Sequence, residues 1–209
     1  QLNRILESDL KKWLFKGKAL ILTGARQVGK TTLLHNLVDS DENILWLNAD
    51  EAQVRARLSE LNVSALKQIV GNYKIVVIDE IQRIEDAGLL IKILVDNFKS
   101  TQIIATGSSA LDISERIFEP LTGRHLLFHL YPFSLKELYP KKSLFEVENQ
   151  LPFHLVYGNY PDICLNREDA KVLLKNLAGQ YLYKDVLVWK DIRKPELLDK
   201  LLRLLAYQV

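Results

Sequence analysis

A chain of 209 residues, 48% hydrophobic and 26% charged, falls in the ordinary globular range and can bury one sizeable core with a small second lobe. Its 28 Lys and Arg against 26 Asp and Glu leave a formal charge of +2, which gives nucleic-acid binding no electrostatic support. The single cysteine, Cys164, excludes an internal disulfide and fits a core thiol in a reducing, cytoplasmic interior. No apolar run reaches the ~20 residues a bilayer span needs.

Apolar residues at Ile5, Leu6, Leu10, Trp13 and Leu14 predict a first helix over 5–15, stopped by Lys16-Gly17. Ala19 to Thr23 is a short apolar run of the kind found in a parallel sheet covered on both faces. After a glycine-rich stretch the pattern alternates. It gives a helix from Thr31 to Val38, a strand from Ile44 to Leu47, a charged helix from Glu51 to Leu61 and a strand from Lys74 to Ile78. A helix from Ala87 to Phe98, a strand from Gln102 to Thr106, a helical link and a fifth strand from His125 to Leu130 follow. Such alternation predicts an α/β fold, a parallel sheet wrapped by helices. Beyond Pro132 the composition changes to helices with prolines and tyrosines, so residues 1–133 form the expected core and 134–209 a smaller helical lobe. The chain opens without Met, and the apolar face of Leu197, Leu198, Leu201, Leu202, Leu204 and Leu205 runs uncapped towards Val209. Both features lead us to expect a trimmed sequence.

Gly24-Ala25-Arg26-Gln27-Val28-Gly29-Lys30-Thr31 matches G-x-x-x-x-G-K-[ST] between a strand and a helix, with Thr32 following. In that setting the backbone N–H groups cradle phosphates and the helix N-terminus adds a favourable dipole. Lys30 is expected on the β and γ phosphates of ATP, and Thr31 on Mg²⁺. Asp79 and Glu80 end a buried strand, where open α/β sheets bind ligands. Asp79 is expected to hold the Mg²⁺ shell and Glu80 to orient or deprotonate the attacking water, which favours hydrolysis over transfer to a small acceptor. Ser108, after the fourth strand, offers a hydroxyl for the γ phosphate or the water, although Gly107-Ser108-Ser109 also reads as a plain turn. Arg124, just before the fifth strand, could neutralise the transition state or form a surface ion pair, with Arg116 its competitor. His35, His125, His129 and His154 show no metal spacing and receive no role. No N-K-x-D segment reads guanine, so the expected base is adenine.

On these motifs the chain resembles the AAA-type branch of P-loop ATPases. More narrowly, it is similar to an uncharacterised prokaryotic group marked by G-x-R-Q-V-G-K-T-T (Gly24 to Thr32), I-D-E-I-Q (Ile78 to Gln82), T-G-S-S (Thr106 to Ser109), a G-R turn (Thr122 to Arg124), P-F-S (Pro132 to Ser134) and G-x-Y-P (Gly158 to Pro161). The resemblance covers essentially the whole chain. It departs at Ala25, where such proteins often carry Pro. It implies a P-loop NTPase three-layer sandwich with strand order 5-1-4-3-2 and a helical lid, and in longer members a further C-terminal domain, here absent or barely begun. By analogy, AAA-type proteins often take this arginine from a neighbouring subunit of a homo-oligomer, so Arg124 could act across subunits or equally within its own chain, and the oligomeric state stays open. The activity implied is hydrolysis of Mg-ATP to ADP and phosphate, coupled to an unknown partner or conformational task. The alternatives are a slow nucleotide-dependent switch or scaffold and a small-molecule kinase.

Overall fold

The computed structural model describes residues 2–38, 43–107, 119–179 and 195–207; Ser108, Arg116 and the link that carries them lie outside these residues. The chain divides into two compact units, Gln1–Ser143 and Leu144–Val209.

In the first unit the elements are α1 (Ile5–Trp13), β1 (Ala19–Thr23), α2 (Lys30–Val38), β2 (Ile44–Asn48), α3 (Ala52–Leu58), α4 (Val63–Val70), β3 (Ile75–Asp79), α5 (Ala87–Asn97), β4 (Gln102–Gly107), β5 (His125–His129) and the short α6 (Leu135–Leu138). The five strands form one sheet in the order β2-β3-β4-β1-β5, which is 5-1-4-3-2 read from the other edge, and every pairing is parallel. The register sets Ala19 beside His125 and Thr23 beside both Gly107 and His129. All strands therefore end on one edge of the sheet and begin on the other.

Because successive strand residues point to opposite faces, one set of strands supplies two cores. Ala19, Ile21, Val76, Ile78, Ile103 and Ala105 pack with Leu66, Leu90 and Ile91 of α4 and α5 on one face. Leu20, Leu22, Val77 and Ile104 pack with Leu10, Leu33 and Leu34 of α1 and α2 on the other. Every residue of β1 is buried, the signature of a central strand covered on both sides.

The helix expected over 51–61 ends early, and an unexpected second helix follows it. Helix α3 ends at Leu58, Leu61 turns at φ +47°, and α4 starts behind Asn62, whose side chain accepts from the Ser64 amide at 2.8 Å. This added helix brings Leu66 and Val70 into the core.

The change to helices begins at Ser134, but the segment up to Ser143 stays in the first unit. Ser134 and Glu137 form a reciprocal capping box on α6. Glu137 also accepts from the Ile5 amide at 2.9 Å and lies 3.5 Å from the Arg4 guanidinium. That guanidinium is buried over the Phe133 ring at 4.4 Å and donates to the Tyr131 carbonyl. One carboxylate thereby joins the start of α1 to the chain leaving β5.

The described residues of the second unit form α7 (Leu144–Glu148), α8 (Leu151–Tyr157), α9 (Pro161–Leu165), α10 (Ala170–Leu177) and α11 (Pro195–Ala206). Gly158 at φ +74° ends α8, and Pro161 opens α9 where a missing N–H costs nothing. Arg167 lies over Phe153 at 4.5 Å and donates to Gln150 at 2.8 Å, and His154 bonds Asn159 at 2.7 Å. Cys164 is only half-buried, and burial raises its thiol pKa above the ordinary value. Leu197, Leu201, Leu204 and Leu205 of α11 are exposed.

Candidate functional site

The site grows from the carboxyl edge of the sheet. The chain leaves β1 at Thr23 and turns through Gly24 to Gly29 before α2 begins at Lys30. Gly24 is required by space: a Cβ there would lie 2.4 Å from the Leu130 carbonyl oxygen, on the backbone leaving β5. Gln27 at φ +58° and Gly29 at φ +96° bend the loop back, and the fully buried Val28 pins its middle to the core. Ala25 and Gln27 are exposed, Arg26 is half-buried, and Thr31 and Thr32 lie exposed on the first turn of α2.

Lys30 is 7% exposed, and its ammonium donates to the carbonyls of Gly24 at 2.9 Å and Ala25 at 3.1 Å, inside the turn of the loop. Burial pushes its pKa below the ordinary lysine value; Glu80 and then Asp79 oppose that shift, and Arg26 adds to it. Glu80 thus acts more strongly than Asp79 on the lysine that the sequence assigns to phosphate.

Asp79 ends β3 with both carboxylate oxygens engaged. One accepts from the Thr31 hydroxyl at 3.2 Å. The other accepts from the Thr106 hydroxyl and, at 3.2 Å, from the Glu80 amide. Thr31 and Asp79, expected on the same metal, face each other across the loop. A hydroxyl and a carboxylate are hard oxygen donors of the kind Mg²⁺ takes while keeping water and phosphate for its other positions. Among the described residues no group of three or more His, Cys, Asp or Glu could hold a metal.

Glu80 adopts the left-handed conformation at φ 55°, ψ 45°, which for a residue with a side chain costs on the order of 1 kcal/mol. Its amide also donates to the Thr106 hydroxyl at 3.2 Å, and its carboxylate accepts from the Gln82 side-chain amide.

Sequence reasoning left Thr106, Thr23 and His129 without roles, and all three lie at this edge. Thr106 is fully buried and ties β4 to Asp79. The Thr23 hydroxyl lies 2.9 Å from His129 Nδ1 and donates to the Phe128 carbonyl at 3.2 Å. Burial, and then the Lys30 charge, push the His129 pKa below its ordinary value. The signal available was register: each is the polar residue at or next to the end of its strand.

Arg124 is not brought to the site. It precedes β5, its carbonyl accepts from Ala19 at the start of β1, and its guanidinium pairs with Asp96 at 2.9 Å and 3.2 Å. The five residues of β1 separate it from the loop, about 15 Å at strand rise. Within one chain it does not reach the Gly24–Gly29 loop. His35 stacks on Trp46 with ring centroids 4.2 Å apart, and His125 bonds the Leu121 carbonyl at 3.0 Å.

The sequence model of a family described as an AAA domain matches residues 16–139. An uncharacterized protein of Haemophilus influenzae is 26% identical over 211 aligned residues, 90% of this chain and 51% of that protein. An uncharacterized protein of Mycobacterium tuberculosis is 30% identical over 130 residues, 62% of this chain and 28% of its own length. The chain therefore spans about half the length of the first relative and less of the second. Among solved structures, a Signal Transduction ATPase with Numerous Domains protein with a tetratricopeptide repeat sensor, from Pyrococcus horikoshii, aligns with a TM-score of 0.49 and 14% identity over 78% of this chain and 29% of that one. The Aeropyrum pernix ORC1 protein, solved in complex with DNA, aligns with a TM-score of 0.45 and 15% identity over 72% of this chain and 50% of that one. No helix among the described residues is long and apolar enough to cross a membrane.

Proposed function

The chain belongs to the AAA domain family, and from that premise we propose that it binds Mg-ATP on Gly24 to Thr32 and hydrolyses it to ADP and phosphate. The observation that carries the reading is the convergence on one loop of the buried Lys30 ammonium, the Thr31–Asp79 pair at 3.2 Å, and Glu80 acting on Lys30.

The loop backbone and the N-terminus of α2 receive the phosphates. Lys30 exchanges its carbonyl partners for phosphate oxygens, a charge-assisted contact. Thr31 and Asp79 hold Mg²⁺, which when bound neutralises charge on the phosphates. Glu80 orients the attacking water and takes its proton, while Thr106 fixes Asp79 so that the two carboxylates keep separate tasks.

One observation favours a second reading, a slow nucleotide-dependent switch: Arg124 is paired with Asp96 at the opposite edge of the sheet and supplies no charge to its own chain's phosphates. The test is Mg²⁺-dependent ATP turnover by wild type and Glu80→Gln, with nucleotide binding measured on both. Hydrolysis by wild type and tight binding without turnover by the variant support the hydrolytic reading. Equal binding with no turnover by either leaves the switch as the function.

A further inference from the structure

The 3-10 turn Ile81–Arg83 directly after Glu80 is unusually well fastened for a loop at a sheet edge. Ile81 is fully buried, the Arg83 amide donates to the Glu80 carbonyl at 2.9 Å, and the Ile84 amide donates to Ile81 at 3.0 Å. Within the turn, the Arg83 guanidinium makes an exposed ion pair at 3.0 Å with Asp50, in the segment after β2. The left-handed turn at Glu80 folds the residue two positions later back over it, and the Gln82 amide donates to the Glu80 carboxylate. The other polar candidate at this edge is Asn48, in register with Asp79, and its side-chain oxygen is engaged by the Asp50 amide at 2.9 Å.

We propose that Gln82 is a positioning residue for the attacking water, acting through Glu80: its amide, held on the turn, fixes the Glu80 carboxylate. This rests on the hydrolytic reading of the site. The chain has set Glu80 in a costly backbone conformation, and a Glu side chain has three rotatable bonds with which to leave the loop. A donor on a rigid turn removes that freedom. A general base displaced by about 1 Å loses on the order of 100-fold in rate, and outer partners that orient a reacting group are typically worth 10–100-fold.

The experiment compares wild type, Glu80→Gln, Gln82→Ala, Gln82→Met and the double variant Glu80→Gln/Gln82→Ala for kcat, for Mg-ATP affinity and for thermal midpoint. Gln82→Met keeps the approximate length and removes the donor without adding charge. The expected result is a fall in kcat of about 10–100-fold for both Gln82 variants, with affinity and midpoint within about twofold and about 2 °C of wild type. In the Glu80→Gln background Gln82→Ala has no further effect, since the two act as a unit. An unchanged kcat overturns the proposal. So does a rise in kcat, which makes the bond a restraint, and so does a fall matched by losses of affinity and midpoint, which makes Gln82 structural. The underlying reading is decided separately by wild type against Glu80→Gln: if wild type hydrolyses and Glu80→Gln stalls while Gln82→Ala is normal, only the Gln82 proposal fails. A wild type without turnover overturns both.

Discussion

The two ends of one sheet use polar residues in opposite ways. At the edge where the strands begin, Gln102 donates to the Lys18 carbonyl at 2.9 Å and the Ile103 carbonyl at 2.8 Å and accepts from the Phe15 amide at 2.6 Å, while Arg124 pairs with Asp96. These contacts close loops. At the edge where the strands end, Lys30 is held by two carbonyls that phosphate can replace, and Thr31 faces a carboxylate that a cation can bridge. The comparison teaches that chemistry follows strand direction: residues before a parallel strand fasten the fold, and residues after it face the ligand.

The largest effect expected is on nucleotide binding. Lys30→Ala should weaken ATP binding by roughly 100-fold, the worth of one or two charge-assisted hydrogen bonds, measured by titration calorimetry. The same lysine gives the pH dependence. Its pKa in the folded protein lies below the ordinary lysine value, so affinity for ATP should fall as pH rises through that lowered value. Folding stability runs the other way: the unfolded chain binds the proton more tightly there, so stability rises with pH between the lowered and the ordinary pKa.

Gly24→Ala comes next, because its Cβ would meet the Leu130 oxygen at 2.4 Å. A cost of about 1–3 kcal/mol in denaturant unfolding, with weaker ATP binding, is the expected pairing. Gln102→Ala should cost about 2 kcal/mol of stability and leave ATP affinity unchanged, which separates the two edges. Weakened binding in Gln102→Ala would break the comparison. The smallest effect is that of Arg124→Ala, which removes an exposed pair and should leave both thermal midpoint and affinity where they were. The Asp96 pKa is lowered chiefly by its hydrogen bond to Arg124. What that pair contributes is present above the ordinary Asp pKa and is lost as pH falls through the lowered one.

The strands and the glycine-rich loop after β1 were legible because each is written locally, in apolar runs and in glycines at fixed spacing, whereas the sheet order came only with the family resemblance. Helix α4 was missed because one left-handed residue, Leu61, resets the helical period between two short segments. Arg124 was read as a candidate for the site from its residue type, yet its place before β5 already assigns it to the beginning edge of a parallel sheet. Thr106 received no role because its tie to Asp79 needs the register that pairs β4 with β3. Gln82 stood in a quoted motif without a role, since only the turn at Glu80 shows which group it meets. The change in composition at Ser134 was visible, whereas the Arg4–Glu137 contact that keeps this segment with the first unit spans 133 residues of sequence separation and has no local sign.

The most direct test of the claim that the ending edge alone carries the chemistry is phosphate release at saturating Mg-ATP by Glu80→Gln and Arg124→Ala beside wild type. The account predicts that Arg124→Ala turns over as wild type does while Glu80→Gln binds ATP and stalls. A stalled Arg124→Ala, with or without an active Glu80→Gln, would contradict it.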